Sequence, residues 1–167
     1  MSAFNGGGRT RLGTVINLNV YDLSPLNETA LSYLGVGIHH SGVEVSGTEY
    51  SFAGGAGIFE DQPKQAGGAI YTHTVKLGVY EGPISEVKSI LSEMRDSFGA
   101  NSYNILCQNC NHFAEAFSLR LLGVGIPAYV NRIAYMGSFF SCLLPKELLE
   151  GKINNTSTGS YNWNAWR

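Results

Sequence analysis

The segment "GIHHSGVEVSGTEYSFAGG", residues 37–55, contains the clearest structural pattern in the sequence. Two runs of alternating polar and apolar residues meet at Ser46-Gly47, a dipeptide typical of a tight turn between antiparallel strands. The segment therefore predicts a β-hairpin. Its first strand carries two adjacent histidines, His39 and His40, whose side chains must point to opposite faces of the sheet.

Strands are also predicted on both sides of this hairpin. Residues 14–23, "TVINLNVYDL", alternate in polarity and predict a strand with Ile16, Leu18 and Val20 on one face. Residues 69–78, "AIYTHTVKLG", predict a further strand in which His73 shares a face with apolar neighbours.

Helices are predicted mainly in the second half of the chain. Apolar residues recur at helical spacing in 83–99 and in 111–123, and each segment ends in a glycine. Ser85 is the expected N-cap of the helix in 83–99. A shorter helix, capped by Asn27, is predicted earlier in the chain. Because strands come first and helices later, the sequence predicts an α+β domain with a small antiparallel sheet packed against helices.

The length and composition bound the organisation of the chain. Its 167 residues suit a single compact domain, which we place at 13–146 between a flexible glycine-rich lead, 1–12, and a disordered polar tail, 147–167. A net charge of −2 gives no reason to expect nucleic acid as a partner, and no run reaches the roughly 20 apolar residues of a membrane span. Three cysteines and no signal-peptide core predict a cytoplasmic setting, with the nucleus also allowed.

Cys110 stands at the start of the second predicted helix, which is a chemically distinctive position. Free N–H groups and the helix dipole favour negative charge there, so we expect a thiol pKa below its usual value of about 8.5. The same N–H groups could bind the oxyanion of an acyl-transfer intermediate. Asn109 and Asn111 flank the thiol, and Asn111 is the expected helix cap. The alternative is a buried, inert cysteine near a helix end.

A nucleophilic cysteine needs a base, and four histidines are candidates. His112 follows Cys110 by two residues on the same helix and should face elsewhere. His73 fits a satisfied core histidine better than a base. His39 and His40 remain, and alternation along the strand does not decide which of them meets the thiol.

Several blocks of the sequence together resemble a known family. They are "VYDL" at 20–23, "GIHHSGVEV" at 37–45, "EYSFAGG" at 49–55, "GIFE" at 57–60, "YNILCQNCNHF" at 103–113 and "IPAYVNRIAY" at 126–135. In this order they resemble the PPPDE family of deSUMOylating-isopeptidase-like cysteine proteases, and most closely its deubiquitinating branch. The resemblance runs from Thr14 to Pro145. It implies a fold related to papain-like peptidases by circular permutation.

The resemblance also implies which residues act. The family's Gly-x-x-His-Ser/Thr histidine corresponds to His40 and its Asn-Cys-Asn cysteine to Cys110, while His39 stands where relatives often carry an aromatic residue. The implied activity is removal of ubiquitin or a ubiquitin-like modifier from lysine side chains through this Cys–His dyad. Asp22 and Glu44 are candidates to orient the base. No substrate-binding residue can be named, and because relatives include homodimers, a homodimer is allowed.

Three other functions fit parts of the pattern. The same dyad could hydrolyse S-palmitoyl thioesters, with an acyl groove lined by Phe139, Phe140, Leu143 and Leu144. The domain could also bind ubiquitin-like proteins without cleaving them. The Cys107–Cys110 pair has the C-x-x-C spacing of redox and zinc sites.

We expect neither a metal nor a cofactor. A zinc site would need two ligands besides the Cys107–Cys110 pair, and the remaining cysteine, Cys142, lies in an apolar run. Cys107 is expected to pack inward or to act as a resolving thiol.

Overall fold

The computed structural model describes residues 13–23 and 39–132 of the chain. The predicted lead at 1–12, the helix predicted after Asn27, most of the region from 126 to 145 and the polar tail lie outside these ranges. Within them, no helix is both long enough and apolar enough to cross a lipid bilayer.

The described residues form five strands and two helices. The strands are β1 (Thr14–Asp22), β2 (His39–Val45), β3 (Thr48–Ala53), β4 (Gly57–Asp61) and β5 (Ile70–Tyr80), and the helices are α1 (Ile84–Met94) and α2 (Cys110–Leu122). The strands form one antiparallel sheet in the order β4-β3-β2-β1-β5. This arrangement confirms the predicted α+β class and adds β4, a strand that the sequence pattern does not predict.

The β2–β3 hairpin forms at the predicted turn. Ser46 and Gly47 both have positive φ angles, of 50° and 79°, as the two central residues of a type I′ turn require. The ladder between these strands runs from Val45–Thr48 to Val43–Tyr50. Beyond that pair the main-chain groups of Ser41 are outside the β2–β3 ladder, and this is the end of the hairpin where the two histidines lie.

One face of the sheet packs against both helices to form the core. Its fully buried apolar members include Ile16, Leu18, Val20, Val43, Phe52, Phe113 and Phe117. The predicted alternation of β1 and the predicted apolar stripe of α2 are therefore confirmed.

The opposite face of the sheet buries a polar network beside His40. Glu49 is only 2% exposed and accepts hydrogen bonds from the Tyr21 hydroxyl at 2.7 Å and from Asn19 Nδ2 at 2.7 Å. Gly42 lies directly beneath this carboxylate, where a Cβ atom would overlap it. Tyr21 is the cross-strand partner of His40, with ring centroids 5.6 Å apart. Through Tyr21, the network therefore packs against the His40 imidazole and helps to hold it in place.

Helix α1 differs from its prediction at both ends. It begins after Pro83 without a side-chain cap, so the predicted capping role of Ser85 is wrong. It ends at Met94, although the sequence predicts helix up to Phe98. Phe98 nevertheless packs into the core, with its ring centroid 5.2 Å from that of Phe52. Core packing, rather than helical continuation, accounts for the apolar residue at this position.

Candidate active site

Cys110 is the first residue of α2, as the sequence predicts. The residue that caps the helix is Asn109, whose side chain accepts from the N–H groups of Asn111 at 2.9 Å and His112 at 3.0 Å. The Asn109 N–H in turn donates to His112 Nδ1 at 3.2 Å, which completes a capping box. The prediction that Asn111 is the cap is therefore wrong.

Asn111 instead fastens the start of α2 to β2. Its Nδ2 donates to the carbonyls of His39 at 3.0 Å and Val130 at 3.1 Å, and its Oδ1 accepts from Ser41 Oγ at 2.7 Å. The side chain is almost completely buried, so leaving these groups unpaired would be costly. This amide holds Cys110 beside the stretch His39-His40-Ser41.

The main chain of Ser41 contacts groups on both faces of the sheet. Its backbone N–H interacts with the Cys110 thiol, which approaches from the helix side. Its carbonyl accepts a hydrogen bond at 3.1 Å from Ser51 Oγ, which lies with His40 on the other face. Both interactions use main-chain groups beyond the end of the β2–β3 ladder.

The Cys110 thiol is buried, with 4% of the residue exposed. Burial raises the pKa of Cys110 to about 11, and the backbone N–H of Ser41 and the Tyr103 hydroxyl only partly oppose this. The pKa therefore moves in the direction opposite to that expected from the helix start alone. Sγ also lies 3.8 Å from the Asn111 Oδ1 acceptor, a contact that suits a protonated thiol.

The imidazole of His40 is also uncharged at rest. Burial lowers the pKa of His40 to about 4, so at neutral pH the ring can accept a proton. Its Nε2 lies 3.0 Å from Ser51 Oγ. The resting site thus combines a neutral thiol with a neutral imidazole.

The side chain of His39 lies on the face of β2 opposite to that of His40, in different surroundings. Its ring meets that of Tyr129 edge-on with centroids 6.5 Å apart, and its Nδ1 is buried with no hydrogen-bond partner among the described residues. Burial lowers the pKa of His39, and the nearby Asp22 carboxylate opposes the shift. Asp22 therefore lies near His39, and the Glu44 carboxylate accepts a hydrogen bond from Asn19 Nδ2 at 3.0 Å. Both predictions for an orienting carboxylate on His40 are wrong.

The remaining histidines lie elsewhere. His73 is exposed on β5, an edge strand, and bonds the Tyr129 hydroxyl through Nε2 at 2.6 Å. Its predicted place in the core is wrong, because this end of β5 is exposed. His112 is held in the capping box of α2.

The C-x-x-C pair consists of two free thiols in unlike surroundings. Cys107 is exposed and Cys110 is buried, so the prediction that Cys107 packs inward is wrong. Its N–H donates to Asn104 Oδ1 at 3.0 Å, which holds it in a turn ahead of α2. Across 13–23 and 39–132, no three His, Cys, Asp or Glu side chains are grouped so that they could hold a metal ion. Cys142 and the predicted acyl-groove residues lie outside those ranges.

The neutral resting thiol gives a testable pH dependence. Because alkylation requires the thiolate and burial raises the thiol pKa to about 11, labelling of Cys110 by iodoacetamide should rise about tenfold per pH unit between pH 7 and 9. Peptide mass spectrometry of a Cys107→Ser protein would measure the labelling of Cys110 without interference from the exposed thiol nearby. A rate that is already constant below pH 7 would instead indicate a preformed thiolate–imidazolium pair.

Comparison with known proteins identifies relatives over most of the chain. A profile described as "PPPDE putative peptidase domain" matches residues 14–148. The chain is 37% identical over 139 residues to a DeSI-like protein of Arabidopsis thaliana, covering 81% of this chain and 62% of that protein. It is 32% identical over 169 residues to the desumoylating isopeptidase 1 homolog of Caenorhabditis elegans, covering 92% of this chain and 50% of that protein.

A third relative is matched over more of its own length. The DeSI-like protein sdu1 of Schizosaccharomyces pombe is 34% identical over 150 residues, which cover 84% of this chain and 74% of that protein. The first two relatives are longer, and the chain spans between half and two thirds of their lengths.

Proposed function

The chain belongs to the PPPDE peptidase family, and from that premise we propose that it is a cysteine isopeptidase that removes ubiquitin or a ubiquitin-like modifier from lysine side chains. The observation that carries this proposal is the Asn111 bridge, which holds the helix start at Cys110 against the strand that contains His40. The name of the Caenorhabditis elegans relative, a desumoylating isopeptidase homolog, supports the same class of substrate.

Cys110 is the nucleophile and His40 the base in this proposal. As Sγ attacks the carbonyl carbon of the modifier's C-terminal glycine, His40 takes the thiol proton, a sulfur–carbon bond forms and the carbonyl oxygen gains negative charge. Collapse of this intermediate breaks the carbon–nitrogen bond, and His40 gives its proton to the departing lysine amine. Water then attacks the thioester as His40 takes its proton, the sulfur–carbon bond breaks to release the modifier's carboxylate, and the proton returns from His40 to the Cys110 sulfur.

The neutral resting pair supports a particular timing of proton transfer. Burial disfavours the charged forms of both groups, so a thiolate–imidazolium pair is costly before substrate arrives. Transfer of the proton from Cys110 to His40 therefore accompanies the attack on the carbonyl. The same burial protects the thiol from oxidation and alkylation between turnovers.

Tyr103 supplies a hydrogen-bond donor beside the reacting atoms. Its hydroxyl interacts with the Cys110 thiol, and burial raises the pKa of Tyr103, so the hydroxyl keeps its proton at neutral pH. The N–H of Asn111 also interacts with the thiol, but it is shared with Asn109 Oδ1, to which it donates at 2.9 Å. We therefore assign stabilisation of the oxyanion to the Tyr103 hydroxyl together with the N–H of Cys110.

A panel of substrates and probes tests the proposed activity on the full chain. Ubiquitin and SUMO carrying a C-terminal electrophile should each be offered, together with lysine conjugates of both and an S-palmitoyl peptide. We expect an adduct on Cys110 with at least one modifier and cleavage of the matching conjugate. Turnover of the palmitoyl peptide alone would replace the proposal with a thioesterase, and binding of a modifier without an adduct or cleavage would indicate a non-catalytic module.

A further inference from the structure

A serine hydroxyl lies between the candidate base and the main chain of the residue that follows it. Ser51 Oγ is 3.0 Å from His40 Nε2 and 3.1 Å from the carbonyl oxygen of Ser41. Ser51 is 2% exposed, so water does not compete freely for these contacts. Among the described residues, it is Ser51 that holds the His40 ring by a side-chain hydrogen bond, the role expected of a carboxylate.

Counting protons distinguishes two arrangements of these groups. A serine hydroxyl has one proton, and a neutral imidazole has one protonated and one free nitrogen. If Ser51 donates to Ser41 O, then Nε2–H of His40 donates to Ser51 Oγ, and all three groups are paired. If Ser51 instead donates to Nε2, the buried Ser41 carbonyl loses this donor and the ring proton must sit on Nδ1. The first arrangement leaves fewer buried groups unpaired.

The two arrangements have opposite chemical consequences. With the proton on Nε2, Nδ1 carries the lone pair and is the ring nitrogen available to accept a proton. With the proton on Nδ1, the accepting nitrogen is occupied by its contact with Ser51, and the ring cannot act as a base without reorienting. We propose that Ser51 is a positioning residue that fixes His40 as its Nε2-protonated tautomer and leaves Nδ1 to receive the proton of Cys110, an inference that rests on the proposed isopeptidase function.

The contacts of Ser41 link this arrangement to the nucleophile. Its carbonyl accepts from Ser51, its N–H interacts with the Cys110 thiol, and its hydroxyl donates to Asn111 Oδ1 at 2.7 Å. One residue of β2 therefore contacts both the Cys110 thiol and the hydroxyl that holds the His40 ring. A displacement of Ser51 would affect the base directly and the nucleophile only through Ser41.

The ring of His40 can be observed directly by nuclear magnetic resonance. In protein labelled with ¹⁵N at histidine, the chemical shifts of the two ring nitrogens identify which one carries the proton. We expect wild-type His40 at pH 7 to be protonated at Nε2. A ring protonated at Nδ1 would overturn the proposal, and this measurement requires neither a substrate nor a variant.

Variants of Ser51 test the consequence for turnover. Ser51→Ala should lower kcat by about ten- to hundredfold with little change in KM, the range expected for loss of a hydrogen bond to a group that becomes charged. It should also abolish the preference of His40 for the Nε2-protonated form. Ser51→Thr keeps a hydroxyl and should restore kcat to within about threefold of wild type.

Ser118→Ala is a matched control, because Ser118 is also buried and its Oγ donates to a backbone carbonyl, that of Val124, at 2.6 Å. It should leave both kcat and the His40 tautomer unchanged. Wild-type kcat in Ser51→Ala would refute the positioning role. If the wild-type protein cleaves no conjugate, the proposed function fails instead, and the tautomer measurement still reports on Ser51 separately.

Discussion

Cys110→Ala should abolish cleavage of ubiquitin-like conjugates, lowering kcat/KM by roughly 10⁴-fold or more. The proposed reaction passes through a covalent thioester, and removal of a catalytic nucleophile is among the most damaging changes in enzymes that form an acyl intermediate. The fold should survive, because replacing one small buried side chain with alanine typically costs about 1 kcal/mol. Single-turnover cleavage of a fluorescent conjugate, alongside thermal unfolding, would measure both effects.

Cys107→Ala is the matched control for this variant. Its thiol is exposed and lies three positions before Cys110, so its loss should leave turnover near the wild-type rate. If cleavage persists in Cys110→Ala and falls in Cys107→Ala, the exposed thiol is the nucleophile and the site has been assigned to the wrong cysteine. The alanine variant at 110 should still bind the modifier, which separates lost chemistry from lost structure.

His40→Ala should lower kcat/KM by about 10²- to 10⁴-fold, the contribution usual for a general acid–base group. His39→Ala should change it by less than about fivefold. The two residues are adjacent and both partly buried, so each is a control for the other. The Ser51 hydroxyl contacts both the His40 ring and the carbonyl of Ser41, the residue whose N–H meets the thiol. The ring of His39 instead lies near Asp22 and Tyr129.

The order of these two losses decides which imidazole is the base. His39 is a genuine rival because its buried Nδ1 has no hydrogen-bond partner within the described ranges. Equal losses in the two variants, or a larger loss in His39→Ala, would contradict the assignment of His40. Initial rates at several conjugate concentrations, with circular dichroism to confirm folding, would make the comparison.

Much of the fold follows from short-range patterns in the sequence. Ser46-Gly47 predicts the hairpin because few residues tolerate positive φ at both central positions of a turn. The spacing of Phe113 and Phe117 predicts α2, and Gly123 predicts its end, where the backbone is left-handed with φ of 67°. The end of α1 was less predictable, since Phe98 packs into the core from a turn and therefore imitates a helical residue.

The candidate site was only partly predictable. Cys110 at a helix start is visible in the sequence, but Ser51 as the partner of His40 is not, because this contact depends on how β2 and β3 are paired. A hydroxyl at a buried strand position on the same face as the histidine is the signal that could have found it. The position of Asn111 beside a helix start predicts a capping role, but its hydrogen bonds reach a residue 72 positions away, which local sequence cannot reveal.

Local sequence patterns are sufficient to predict four of the five strands, the hairpin turn, the helix that begins at Cys110 and the motifs that contain His40 and Cys110. Each depends on interactions within a few residues along the chain or on the identity of a short motif. That both the thiol and the imidazole are neutral follows from the three-dimensional packing, because burial governs their pKa values. The packing also decides the surroundings of each histidine, since these are formed by groups that the sheet register brings together from distant segments.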